Sequence, residues 1–154
     1  MIKNKYIDSI FEGSNHVIKQ ITGSGVTKGE VKKDIHEFSG NDINVIIGIH
    51  GNIDGHVTFT MDEALAFRIA SLILGQDVGN FIDEISTSCL EELGNMIMGH
   101  TAGLLSQIGI MIDITPPAIV TGDNISIRND KLDKFCIPVV FDDGSVLGIN
   151  SALS

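Results

Sequence analysis

The sequence has no tryptophan, a single tyrosine (Tyr6), three prolines and two cysteines in 154 residues. Without indole rings, and with only seven Phe, a core must be built mainly from Ile, Leu and Val. The hydrophobic fraction of 43% is sufficient for one, and a domain of this length buries roughly 70% of its unfolded surface. One domain over residues 1–154 is therefore expected. The two thiols, Cys89 and Cys136, form no metal-ligand pattern and read as reduced, buried small hydrophobes. An apolar run of about 20 residues is missing. The best stretch, from Leu104 to Val120, is broken by Asp113 and by Pro116-Pro117. The opening residues, Met1 to Asp8, lack the apolar run of a signal peptide, so a soluble, cytoplasmic protein is expected.

Positive charge is also scarce. Ten Lys and Arg face twenty Asp and Glu, for a formal net charge of −10. That balance argues against a nucleic-acid partner, whose phosphates must be neutralised by cations. It argues equally against an anionic membrane surface. The shortage has a location: residues 69–127 contain no Lys or Arg at all, yet carry seven acids.

What is present is regular. Ile7, Ile10, Phe11, Val17, Ile18 and Ile21 recur at helical spacing and predict a first helix from about Lys5 to Ile21. Residues 23–29 read as a loop, Val31 to Phe38 and Ile43 to Ile49 as strands. The Asp54-Gly55 turn makes a hairpin of the second strand with Val57 to Met61. Asp62 is placed to cap a second helix that ends near Gly75. A long third helix is predicted from about Ile82 to Ile108. Short β-branched runs follow at 109–114, 116–120, 124–128, 135–141 and 145–150, parted by turns such as Asp142-Asp143-Gly144. Helix, strands, two helices, strands is the order of an α+β fold, with long helices packed on one face of a mostly antiparallel sheet.

The third helix is the most informative segment. Ser88, Glu92, Asn95 and Gly99 stand at i, i+4, i+7 and i+11 and share one stripe, while Cys89, Leu93, Met96 and Ile97 can face the core. Gly94, Gly99 and Gly103 each cost a helix about 1 kcal/mol relative to Ala, and Asn95 is also a poor interior helix former. Close approach of another backbone is one reason to keep such residues, and a docking surface for a partner is another. On the residues alone, a solvated polar face is the favoured account of Glu92 and Asn95, because Glu-x-x-Asn on a helix is a common accident.

The string from Ser88 to Gly99 resembles the signature of the CheC, CheX and FliY chemotaxis phosphatases: Asp or Ser, three residues, Glu, two residues, Asn, and a Pro about twenty-two residues on. Ser88, Glu92 and Asn95 match its first three positions, and Pro116 or Pro117 the last, with Pro117 one residue short of the usual spacing. The likeness extends over most of residues 40–150, through the run from Val45 to Val57, Ala64 to Gly75 and Ala118 to Gly122. His100-Thr101 departs from it. The resemblance, CheX-like in having one site, implies a CheC-like fold and a phosphatase acting on a phosphorylated CheY-like receiver. It implies that Asn95 aligns a water for attack and that Glu92 pairs with the receiver's lysine, with Ser88 or Glu91 helping to orient them. It also implies a homodimer joined at sheet edges. No cofactor of the chain's own is expected; the Mg²⁺ belongs to the receiver. The chemistry agrees, since no Cys-His or Ser-His-Asp arrangement is visible and the cation-free stretch cannot itself hold a phosphoryl group.

Asp8, Glu12 and Asn15 repeat the spacing on the first helix, but Phe38 stands where a proline would follow. A relic or a coincidence is the expected reading. His50 and His56 are expected to face each other across the hairpin as an ordinary surface pair, and Asp142-Asp143-Gly144 as a turn; no metal site is expected. Two rivals to the phosphatase remain: a non-catalytic interaction module of the same fold, and a small-molecule-binding domain using the Pro116-Pro117 loop.

Overall fold

A computed structural model describes residues 2–33, 37–39, 41–79, 83–122, 126–128 and 132–154. The first helix, α1 (Ile2–Thr22), turns Tyr6, Ile7, Ile10, Val17 and Ile18 inward. Two short strands follow, β1 (Thr27–Lys28) and β2 (Lys32–Lys33), then β3 (Glu37–Ser39). The hairpin comprises β4 (Ile43–Gly51) and β5 (Gly55–Met61). Helices α2 (Glu63–Leu74) and α3 (Glu84–Gln107) come next. The chain ends in β6 (Ile112–Ile114), β7 (Ala118–Thr121), β8 (Ser126–Arg128), β9 (Asp133–Val140) and β10 (Val146–Leu153).

The main sheet runs β1-β9-β10-β5-β4-β6, with β2 also on β9 and β7 also on β4, and all of its pairings are antiparallel. The three helices pack on this eight-stranded sheet, the α+β arrangement that the order of elements predicts. The register aligns Ile137, Ile149, Phe59, Val45 and Ile119 in one row across five strands. Since side chains alternate along a strand, that row faces the helices together with Ile47, Val57 and Val139. Leu65 and Ile69 of α2 and Leu90, Leu93 and Ile97 of α3 close the core above it. On the opposite face, Thr58 and Asn150 lie side by side and are also buried.

Local rules explain the helix ends. Asp62 caps α2, accepting from the Leu65 amide at 2.8 Å, and Gly75 stops it at φ 80°. Gly55, at φ 149°, brings the hairpin so close to β10 that a Cβ there would fall 1.9 Å from the Ala152 carbonyl oxygen. Tyr6 fixes α1 to the sheet: its hydroxyl is 2.9 Å from Ser151 Oγ and its ring stands edge-on to Phe135. Burial pushes this phenol well above its ordinary pKa.

Two expectations need correction. The run from Val31 to Phe38 is not one strand: β2 pairs with β9, whereas β3 pairs with β8 in a separate two-stranded sheet. Residues 34–36 between them, like 123–125 of the predicted turn and strand after Gly122, lie outside the described residues. His50 and His56 do not face each other either. The hairpin register sets His56 opposite Gly48, one step off the expected centre of the turn. His50 is exposed, its Nδ1 3.8 Å from Asp54 Oδ1, while His56 is half-buried.

Candidate active site

Helix α3 starts where Asp83 accepts from the Ser86 amide at 2.8 Å, a bond that holds the Asp83 carboxyl below its ordinary pKa. Its three glycines divide into two kinds. At Gly94 a Cβ would lie 3.1 Å from Ile47 and 3.2 Å from Val45, so this glycine seats the helix on β4. At Gly99 and Gly103 a Cβ would meet nothing within 4 Å, and both are exposed. Packing accounts for the first; it does not account for the other two.

The stripe forms as its spacing predicts. Ser88, Glu92 and Gly99 are exposed, and Cys89, Leu93 and Ile97 are buried beneath them. Asn95 and Glu91 are half-buried, Asn95 being less open than its place on the stripe suggests. Ser88 Oγ donates to the Glu84 carbonyl at 2.9 Å. Among the described residues, neither Glu92 nor Asn95 spends its side chain on a hydrogen bond or ion pair. Both groups are therefore available to something outside the chain. Residues 69–127, α3 and its flanks among them, contribute no Lys or Arg, and Arg68, just before them, is paired with Asp142 and Asp143. Burial and the nearby Asp83 push the Cys89 thiol up, which removes a thiolate nucleophile from beneath the stripe.

Residues 43–140, well over half of the chain, match the family model for the chemotaxis phosphatase CheX. The chain is also 30% identical over 128 residues to the CheY-P phosphatase CheX of Thermotoga maritima, covering 83% of this chain and 80% of that one. The chain belongs to the CheX family. Its fold is similar to that of a CheC-like superfamily protein from Shewanella sp. PV-4, with a TM-score of 0.85, 25% identity and 97% of each chain covered. It is also similar to a chain in the CheX-CheY-BeF3-Mg²⁺ complex of Borrelia burgdorferi, with a TM-score of 0.77, 27% identity, and 96% of this chain and 97% of that chain covered.

For a CheX-family chain, the remaining candidates sort by position. Pro116 is exposed and Pro117 half-buried in the connector from β6 to β7, which the Thr115 hydroxyl ties to the Gly48 amide at 2.8 Å. On α1, Asp8 and Glu12 are exposed, but Asn15 is occupied: its Oδ1 accepts from the Val26 amide at 2.9 Å. His100 and Thr101, the departure from the family pattern, serve the contact with α1. The rings of His100 and His16 stack at 4.1 Å and 10°, and Thr101 fills the space over Gly13. No sequence signal pairs those two histidines, 84 positions apart. Among the described residues, no group of three or more His, Cys, Asp or Glu is disposed to hold a metal ion, and no helix is long and apolar enough to cross a membrane.

Proposed function

We propose that this chain hydrolyses the aspartyl phosphate of a phosphorylated CheY-like receiver domain, with α3 as the docking helix. The observation that carries the reading is the pair Glu92 and Asn95, about one turn apart and uncommitted among the described residues, on a helix that has no Lys or Arg of its own. The carboxamide of Asn95 holds a water in line with the phosphorus. The water oxygen bonds to phosphorus as the bond to the aspartyl oxygen breaks, and the products are inorganic phosphate and the free receiver carboxylate. Glu92 pairs with the receiver's lysine and fixes the register, while Ser88 and Glu91 flank the pair. Such a reaction is accelerated chiefly by positioning and electrostatics, and the charge neutralisation, Mg²⁺ included, comes from the receiver. The CheY-P phosphatase of Thermotoga maritima and the Borrelia burgdorferi complex with CheY support the reading. In the same reading the protein works in the cytoplasm and as a homodimer joined at a sheet edge, where β7 pairs only with β4 among the described residues.

The test is the dephosphorylation rate of a phosphorylated receiver from the same genome. Asn95→Ala is expected to lower turnover by about ten- to a hundredfold with stability unchanged or slightly improved. Glu92→Ala is expected to weaken docking together with turnover. Full activity in Asn95→Ala removes the site from α3, and binding without hydrolysis by the parent protein favours a non-catalytic module. Light scattering that returns 16.5 kDa, the mass of one chain, would dismiss the dimer.

A further inference from the structure

Two exposed apolar side chains stand together beside the proposed catalytic pair. Leu74, at the end of α2, is 39% exposed, and Ile85, in the first turn of α3, is 56% exposed. With Ile73 they line an open groove of about 410 Å³, whose other wall is Ser88, Cys89 and Glu92. The groove is thus continuous with the stripe rather than a separate feature. Ile85, Ser88 and Glu92 stand at i, i+3 and i+7 on one face, so the stripe begins a turn earlier than its polar residues suggest. From Ile85 to Asn95 it runs roughly 15 Å at 1.5 Å per residue.

An exposed carboxylate–lysine pair fixes register, speeds encounter and contributes modestly to affinity. Interfaces take their affinity from apolar anchors seated in a pocket. The groove supplies such a pocket at the end of the stripe away from Gly99, within an acidic surround that includes Glu84 and Glu92 and has no Lys or Arg in residues 69–127. Its complement is an apolar side chain next to a lysine.

We propose that the groove between Leu74 and Ile85 is the affinity anchor for the receiver. It takes an apolar side chain from a receiver loop that borders the phosphorylated aspartate, on the side of the lysine that meets Glu92. The assignment rests on the phosphatase reading, and it separates two tasks along one helix: Ile85 holds the partner and Asn95 turns it over.

The experiment uses the full-length protein and a CheY-like receiver from the same genome. Binding is measured with the receiver activated by beryllofluoride and Mg²⁺, and turnover with the phosphorylated receiver. Ile85→Ser and Leu74→Ser alter exposed side chains, and thermal melts check that they fold. Each is expected to raise both Kd and KM about tenfold, roughly what losing one buried aliphatic contact is worth, with kcat within about twofold of the parent. Ile85→Leu should restore binding. Asn95→Ala should show the reverse split, keeping Kd and losing kcat. Unchanged Kd and KM in both serine variants, with an active parent, would overturn the anchor and leave the phosphatase standing. A change in self-association instead of receiver binding would also overturn it, by assigning the groove to a second copy of the chain. A parent that neither binds nor dephosphorylates the receiver overturns both.

Discussion

Asn15 and Asn95 occupy the same place in two copies of one spacing, and their side chains have different occupations. Asn15 closes the loop after α1 through the Val26 amide, whereas Asn95 makes no such bond among the described residues. Removing a half-buried side-chain acceptor costs about 1 kcal/mol. Asn15→Ala is therefore expected to lower the melting temperature without slowing receiver dephosphorylation, and Glu12→Ala to change neither. Loss of turnover in either variant, with α3 intact, would show the first helix to be a second working site. The stripe itself was legible because helical geometry alone places Ser88, Glu92, Asn95 and Gly99 on one face. The fate of Asn15 was not. Its partner is eleven residues away, beyond a loop whose path no spacing rule predicts.

At the scale of elements, the glycines decide how closely helices approach. Gly13 of α1 faces α3 so tightly that a Cβ would lie 2.7 Å from Thr101 Oγ1 and 3.2 Å from the Ile97 carbonyl oxygen. Backbone cannot yield as a side chain can, so Gly13→Ala is expected to destabilise by about 1–3 kcal/mol. Gly99→Ala meets open space and should stabilise by up to about 1 kcal/mol. If the receiver's backbone approaches there, the same substitution lowers turnover. Urea melts of the two variants check the opposite signs, and a loss of stability in Gly99→Ala would show a packing role that the geometry does not contain. Element boundaries followed local chemistry where that chemistry was strong, as at Asp62 and Gly75. They failed where the partner strand decides: the strand-like run from Val31 to Phe38 is divided between β9 and β8, and the choice of pairing partner is not encoded in a local run.

Across the whole molecule, acid should act through the sheet. Burial, with Lys134 nearby, lowers the pKa of His56 from its ordinary 6.5. The unfolded chain therefore binds this proton more readily than the native one, and stability rises with pH across that window. It is present above about pH 6.5 and is lost as the pH falls through the lowered native value. Melts between about pH 7 and pH 5 should show the decline, and His56→Gln should flatten it. A slope unaltered in that variant would assign it to other groups. The scarcity of aromatic rings has its own consequence. Tyr6, the one phenol in a chain without indole, sits where α1 meets the sheet, against Phe135 and Ser151. Its emission and near-ultraviolet dichroism therefore come from a single site, the joint between the first helix and the last strand. The chain carries an intrinsic optical reporter of that joint, and it can be followed without a label.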